Sequence, residues 1–146
     1  MDYIVRFAST AEDRELAYGL RRDVFETEQN VPRPLDRDAN DYAANHVVAI
    51  DGEGRCVGTG RLVRLDARTG LVGRMAVAAT HRRHGVGAKV IDMLHELARL
   101  RGLGECHCYV QIPAIPFFTH RGYQAIGEVV QLEGVPHVLM RKPLIG

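Results

Sequence analysis

The sequence contains no apolar run approaching the roughly 20 residues that a membrane-spanning helix needs. Its amino-terminal segment carries an aspartate at position 2 and too short an apolar run for a signal peptide. The net charge is only +1, so the chain has no general attraction for nucleic acid or for an anionic membrane surface. We therefore expect a cytoplasmic protein with neither of these partners, in which any anion is bound by a local site.

Cysteine is also scarce. The three cysteines, Cys56, Cys106 and Cys108, form an odd set without the spacing of a disulfide framework. Cys106 and Cys108 flank a histidine in a predicted strand, where residues two apart share one face, and no second ligand pair follows with the spacing of a zinc finger or ribbon. We expect three reduced thiols and no metal site.

Internal repeats and low-complexity segments are absent as well. The 146 residues suit one domain, residues 1–146, which is large enough to bury a core without disulfides or metals. Hydrophobic residues make up 46% of the chain and charged residues 25%, as is typical of globular proteins. The composition therefore predicts one globular unit.

Hydrophobic periodicity and turn residues predict an alternation of strands and helices. Strands are predicted at 3–8, 46–51, 55–64, 71–79, 105–112, from 123 onward and at 137–142, with the last hairpin turning at 134–136. Helices are predicted from the N-cap Thr10 to about Glu28, from Val86 to a glycine stop at 102, and at 114–120. The inner face of the long helix is predicted to contain Val86, Val90, Leu94, Leu97 and Ala98. Because hairpins flank an alternating middle segment, we expect a mixed sheet with helices on both faces.

The segment between residues 24 and 46 differs in kind. Pro32 and Pro34 disfavour a helix, and acidic residues recur up to Asp41. Long loops in small domains are often functional, so we interpret this one as facing a substrate. A solvated surface loop is the alternative.

The most informative stretch is the apolar strand at 71–79, which leads into a basic, glycine-bearing loop and then into a helix. Gly85 and Gly87 allow the backbone to approach a ligand closely, and the first turn of a helix offers unpaired N–H groups and the positive end of the helix dipole. This order predicts a phosphate-binding loop. No Gly-Lys-Ser/Thr follows, and the third glycine of the dinucleotide-binding fingerprint is missing. An ordinary glycine-rich turn is the alternative.

Two motifs in this order resemble the GNAT superfamily of acyl-coenzyme A-dependent N-acyltransferases. The loop at 82–88 resembles that family's pyrophosphate loop, and the segment 114–123 resembles its second motif, Ala-x-x-Phe-Tyr-x-x-x-Gly-Phe. The segments 24–32 and 134–140 resemble the small bacterial ElaA-like branch. The resemblance covers nearly the whole chain. It implies the α/β (α+β) fold of the family, with a mixed, mostly antiparallel, twisted sheet and helices on both faces.

The resemblance implies an N-acetyltransferase. It would move an acetyl group from acetyl-CoA to a primary amine of a small cationic molecule or peptide, by direct attack in a ternary complex and without a metal. The acidic residues Asp36, Asp38 and Asp41 favour a cationic acceptor. The alternatives are an acyl-CoA-binding module with weak or no turnover, and a loop that holds a different nucleotide. We also allow for a homodimer.

The resemblance also assigns residues to the co-substrate. Backbone groups of the strand before the loop would pair with pantetheine, the N–H of Val77 would face the acyl oxygen, and the loop amides would hold the pyrophosphate. The predicted cofactor-binding residues are Met75, Ala76, Val77, Arg82, Arg83, His84, Gly85, Val86, Gly87, Ala88, Gln111, Phe117 and Phe118.

One position departs from the family pattern and leaves the acid and base open. Phe118 stands where the family commonly has a tyrosine that protonates the sulfur, and a phenyl ring has no proton to give. Water, Tyr123 or His137 would then take that role. For the base we predict Glu28, or a water linked to His46 or His137, all lining the acceptor pocket. The alternatives are a salt bridge for Glu28 and purely structural hydrogen bonds for the strand histidines.

Overall fold

The computed structural model describes residues 2–31 and 38–144 of the chain. Within these ranges the backbone forms seven strands and four α-helices. The strands are β1 (Tyr3–Phe7), β2 (Asn45–Asp51), β3 (Cys56–Arg64), β4 (Thr69–Val77), β5 (Glu105–Gln111), β6 (Gln124–Leu132) and β7 (Val135–Pro143). The helices are α1 (Ala11–Arg21), α2 (Asn40–Ala43), α3 (Val86–Leu100) and α4 (Ile115–His120).

The strands form one sheet in the order β1-β2-β3-β4-β5-β7-β6. Among them, β4 and β5 run parallel, and every other neighbouring pair is antiparallel. The parallel pair is joined through α3, as a parallel connection requires a crossover. The prediction of a mixed, mostly antiparallel sheet is therefore confirmed.

Helices cover both faces of this sheet, also as predicted. Along β2, Val47 and Ala49 belong to the same core cluster as the inner face of α3, whereas Val48 and Ile50 pack against Ala17 of α1. The predicted inner face of α3 is buried throughout, at Val86, Val90, Leu94, Leu97 and Ala98. Burial of each large apolar side chain stabilises the fold by roughly 1.5–3 kcal/mol.

Close packing of α3 on the sheet depends on glycine in β3. A Cβ atom at Gly60 would lie 2.7 Å from Cδ1 of Leu94 and 2.9 Å from Cγ1 of Val90. Both partners are buried side chains of α3, so they have little room to move. The missing side chain therefore sets the distance between the helix and the sheet.

The first helix is capped as predicted, since Oγ1 of Thr10 accepts a hydrogen bond from the backbone N–H of Asp13 at 3.0 Å. Its continuation differs from the prediction. Arg22–Glu28 form a π-helix, and the N–H of Gln29 donates to the carbonyl of Val24 at 3.1 Å. The predicted helix thus has the expected length, but its second half is wider than an α-helix.

The turn between β6 and β7 also differs from the prediction. Glu133 and Gly134 have φ values of 55° and 76°, and Leu132 pairs with Val135 across the turn. Two residues with positive φ complete a tight hairpin connection. Val135 and Pro136, predicted in the turn, therefore belong to β7.

Candidate active site

The pairing of β4 with β5 stops partway along both strands, and we call the region beyond the paired part the cleft. The two strands pair only from Thr69 to Leu71 of β4 and from Glu105 to His107 of β5, although β4 continues to Val77 and β5 to Gln111. Beyond the paired part, the described residues of the two strands form no ladder with each other. The backbone N–H and C=O groups along the facing edges need other partners, and an extended ligand rich in amides can supply them.

A bulge in β4 lies beside this cleft. Arg61 of β3 pairs with Gly73 and Thr59 pairs with Ala76, so Arg74 and Met75 together stand opposite one residue of β3. Arg74 has a φ of 49°, in the left-handed region. The bulge reverses the alternation of side chains along β4, because Val72 packs in the α3 cluster whereas Ala76 packs with residues of α1 and the π-helix.

The glycine-bearing loop continues from the end of β4. A 3-10 turn, Ala79–His81, is followed by positive φ values of 66° at Arg83 and 78° at Gly85. The helix α3 begins at Val86, as predicted, and no side chain caps it. Its first intrahelical bond runs from Lys89 N–H to the carbonyl of Gly85, so the N–H groups of residues 86–88 have no partner within the helix. This geometry suits a phosphate group.

Arg82 ties the loop to the π-helix. Its Nε donates to the carbonyl of Val77 at 3.0 Å, and its Nη2 donates to both carboxylate oxygens of Glu28, at 2.9 and 3.0 Å. Glu28 was predicted as a base in the acceptor pocket. Its contacts with Arg82 fit the alternative, a salt bridge.

A family model for the acetyltransferase (GNAT) domain matches residues 8–144 of the chain. The chain belongs to this family. As a GNAT acetyltransferase it is an acyl-CoA-dependent N-acyltransferase. A curated relative, an uncharacterised N-acetyltransferase named YjcF from Bacillus subtilis, is 34% identical over 136 residues, covering 92% of this chain and 96% of the relative.

Solved structures share the fold. ElaA from Escherichia coli superimposes with a TM-score of 0.82 at 21% identity, covering 97% of this chain and 98% of that one. An acyl-CoA N-acyltransferase from Pseudomonas aeruginosa gives a TM-score of 0.83 at 23% identity, with coverage of 97% and 99%. At these identities the likeness is one of fold, and the site of the acetyltransferase has to be argued from its own residues.

The predicted acid Tyr123 lies inside the core of the acetyltransferase. It is 1% exposed, and its hydroxyl is 2.7 Å from Nε2 of His95. Burial raises the pKa of Tyr123 far above its usual range and lowers the pKa of His95 to about 4. Both partners are therefore neutral, and this buried hydrogen bond, whose direction depends on the imidazole tautomer, fits a structural pair better than a proton donor. His95 was not singled out from the sequence. Its spacing along α3, which places it on the buried side of the helix, could have indicated it.

Phe117 and Phe118 of α4 continue this aromatic cluster. The ring of Phe118 lies 5.2 Å from that of Tyr123 and 5.3 Å from that of Phe117, both edge-on. Phe118 is buried and Phe117 packs against the main core cluster. The second motif thus packs α4 onto the core. At the position where the family commonly has a tyrosine, this chain has Phe118, a core side chain.

His46 is buried beneath α2 rather than exposed in a pocket. It is 3% exposed, its Nε2 lies 3.1 Å from the carbonyl oxygen of Asp41, and its ring meets that of Tyr18 edge-on. Burial lowers the pKa of His46 and keeps the ring neutral. These contacts fit the structural alternative for His46, and its place in an acceptor pocket stays a prediction.

His137 lies at the cleft end of the sheet. It pairs with Gln111, the last residue of β5, and with Val130 on its other side. Its Nδ1 is 2.8 Å from the carbonyl oxygen of Val135. Tyr109 is exposed two residues before Gln111, on the same face of β5. The structure therefore groups His137 and Gln111 with a tyrosine that the sequence did not single out.

The acidic segment is partly described. Asp36, Pro32 and Pro34 lie outside the described residues. Asp38 and Asp41 contact three arginines, Arg21, Arg61 and Arg74. The negative charge that was predicted to attract a cationic acceptor is therefore balanced within the protein at both described aspartates.

The three cysteines lie in strands β3 and β5. Cys106 and Cys108 are buried in the main core, and all three thiols are free. Burial raises the pKa of Cys56 and Cys106 to about 11 and that of Cys108 to about 12. Within the described ranges, no group of three His, Cys, Asp or Glu side chains could hold a metal ion, and no helix is long and apolar enough to cross a membrane.

Proposed function

We propose that this acetyltransferase binds acetyl-CoA in the cleft between β4 and β5 and transfers the acetyl group to a primary amine. The observation that carries the proposal is the continuity of the two halves of the site. The unpaired edge of β4 ends at Val77, and the loop after it leads directly to the uncapped start of α3. A ligand with an amide-bearing arm and a diphosphate matches both halves.

In this arrangement the backbone does most of the binding. The N–H groups of residues 86–88 would hold the pyrophosphate, with Arg83 and His84 adding contacts from the loop. Met75, Ala76 and Val77 would pair with pantetheine from one edge of the cleft, and Gln111 would close the other. The loop surface is open for this, because a Cβ atom at Gly87 would meet only Val77, at an ordinary 3.7 Å.

Acetyl-CoA supplies the electrophilic thioester carbonyl. The Val77 N–H would donate to its oxygen and stabilise the negative charge that develops when the amine attacks. The C–N bond forms as the C–S bond breaks, the sulfur leaves with the bonding electrons, and the amine loses a proton. Since Phe118 has no proton and Tyr123 is engaged by His95, the sulfur would leave as a thiolate or take a proton from water.

His137 is the base that the contacts favour. If Nδ1–H donates to the carbonyl of Val135, the imidazole is held in the tautomer whose Nε2 carries a free lone pair. That nitrogen can accept the ammonium proton directly or through one water. Glu28 is bound to Arg82 and His46 is buried, so both are weaker candidates.

The proposal does not extend to the charge of the acceptor. Asp38 and Asp41 were the reason to expect a cationic molecule or peptide, and each contacts arginine. The proposed acceptor is therefore a primary amine, with no charge assigned to the rest of the acceptor molecule. A homodimer and a cytoplasmic location stay predictions from the sequence.

The co-substrate site is tested with Gly87→Asp. The new carboxylate would repel the pyrophosphate, whereas an acidic residue in the first turn of a helix favours the helix itself. We expect the rise in melting temperature on adding CoA to disappear in Gly87→Asp and to be reduced less in the matched control Gly87→Ala. Equal stabilisation of both variants by CoA would contradict the proposed site.

Transfer is tested separately with an amine library and detection of the released thiol. Turnover with any primary amine supports the acetyltransferase. Binding of CoA without turnover on any amine favours the alternative, a binding module. The phenylalanine at position 118, which has no proton to give, is the feature that favours this alternative. Stabilisation by ATP or NAD but not by CoA would overturn both.

A further inference from the structure

A network of buried and partly buried charges connects α1 and α2 to the bulge in β4. It consists of Arg21, Asp38, Asp41, Arg61 and Arg74, and we call it the arginine–aspartate network. Arg21 is bidentate on Asp41, at 2.7 and 3.0 Å. Nη1 of Arg61 bridges the two aspartates, at 2.8 Å from Asp38 and 3.0 Å from Asp41. Bidentate and shared guanidinium contacts of this kind fix geometry as well as charge.

Asp38 also reaches the bulge in β4. Its Oδ2 accepts from Nη2 of Arg74 at 3.2 Å. Its Oδ1 accepts from the N–H of Asn40 and so holds the start of α2. One carboxylate therefore joins α2, β3 and the residue of β4 whose backbone is left-handed.

The conformation of Arg74 has an energetic cost that this contact can offset. A left-handed φ costs a non-glycine residue roughly 1–2 kcal/mol, and such strain persists only where the surroundings hold it in place. Arg74 is followed by Met75, Ala76 and Val77, whose orientation depends on the bulge. A shift of the bulge would move the N–H proposed to face the acyl oxygen.

We infer that Asp38 is a positioning residue: through Arg74 and Arg61 it holds the β4 bulge in the conformation that places the acyl group for attack. The inference rests on the proposed acetyl-CoA site in the cleft. It gives the network a role in the reaction rather than in folding alone. It also distinguishes two halves of the site, because among the described residues no hydrogen bond or ion pair joins the loop at 82–88 to the network.

The first experiment compares Asp38→Asn with the matched control Asp92→Asn. Asparagine keeps an oxygen for the N–H of Asn40 but loses the charge. Asp92 also pairs with an arginine, Arg121, on the exposed side of α3. We expect kcat to fall about tenfold or more in Asp38→Asn, while Kd for CoA without an acyl group changes by less than about threefold. Asp92→Asn should leave both values near those of the parent.

A merely structural role predicts a different pattern. Loss of folded protein would lower the melting temperature, and it would lower the amplitude of CoA binding and the apparent kcat in the same proportion, so that kcat per CoA-binding molecule stays at the parent value. If kcat of folded Asp38→Asn stays within about twofold of the parent, or if kcat and CoA affinity fall in proportion, the inference is wrong.

The second experiment tests the bulge directly. Arg74→Gly and Arg74→Ala both remove the ion pair with Asp38, but glycine adopts a positive φ without strain. We expect Arg74→Gly to keep at least about threefold more kcat than Arg74→Ala. Equal losses would overturn the link through the bulge. A parent protein that binds no CoA would instead remove the proposed site itself, so the two failures can be told apart.

Discussion

Tyr123 and His95 show how a residue that looks catalytic in the sequence can serve the core. The hydroxyl of Tyr123 has its partner in His95 at 2.7 Å, and both side chains are buried. A buried donor or acceptor that loses its partner costs roughly 1–3 kcal/mol. The pair therefore stabilises the contact between α3 and the segment that joins α4 to β6, whether or not it takes part in transfer.

Tyr123→Phe separates the two roles. The variant leaves Nε2 of His95 buried and unpaired, so we expect the free energy of unfolding in urea to fall by about 1–3 kcal/mol. At a temperature where the variant is folded, kcat should stay within about twofold of the parent, because the hydroxyl gives no proton to the sulfur. Tyr109→Phe, at an exposed position of β5, is the control for stability. A tenfold loss of kcat in folded Tyr123→Phe would restore the tyrosine as the acid.

The residues of the site were predictable to different degrees. The turn into α3 could be predicted because its glycines stand close together in the sequence, and α3 begins at Val86 as expected. That the loop at 82–88 binds pyrophosphate stays a prediction. The arginine–aspartate network could not be predicted, because Arg21 and Arg61 each lie 20 residues from Asp41 and the three meet only when α1, α2 and β3 assemble. In the sequence they are isolated charges, and the acidic members suggested a substrate rather than an internal partner.

At the scale of elements, alternation and periodicity predicted the strands and the long helix, whereas departures from regular geometry were hidden. The π-helix at Arg22–Glu28 and the bulge at Arg74 each add a residue to a regular pattern. Neither has a local sequence signature, since the partner strand or the preceding turn decides whether the extra residue fits. Both lie beside the cleft, where the side chains of β4 no longer alternate regularly between the two faces of the sheet.

The contact between β3 and α3 gives a prediction at this scale. Gly60→Ala places a methyl group against Leu94 and Val90, both fully buried, so we expect the free energy of unfolding to fall by about 1–3 kcal/mol. Gly52 has no atom within 4 Å of an added Cβ, and Gly52→Ala should change stability by less than about 0.5 kcal/mol. Urea denaturation of both variants measures the difference. Equal effects would mean that α3 moves away from the sheet at little cost.

The whole molecule buries titratable groups of both signs on the two faces of its sheet. Burial lowers the pKa of His95 to about 4, on the side of α3. On the side of α1, burial alone would raise the pKa of Asp41, but hydrogen bonds from Arg21 and Arg61 lower it to about 2. Each group binds its proton more weakly in the folded state than in the unfolded chain. For both groups, stability therefore falls as the pH is lowered, in two successive windows.

The first window belongs to His95. Between about pH 6.5 and pH 4 the unfolded chain takes up a proton that the folded protein refuses, so this residue should remove about 3 kcal/mol of stability across the window. Asp41 follows from about pH 4 down to pH 2, where protonation breaks its pairing with Arg21. Urea unfolding at a series of pH values measures both.

The variant His95→Gln keeps an acceptor for Tyr123 but does not titrate. We expect the stability of this variant to depend much less on pH between pH 6.5 and 4, with the remaining slope due to His46, whose pKa burial also lowers. His120→Gln, at an exposed position, should keep the full decline of the parent. An unchanged slope in His95→Gln would show that the loss of stability in mild acid arises from another group. Only a group whose proton affinity differs between the folded and unfolded states can make stability depend on pH.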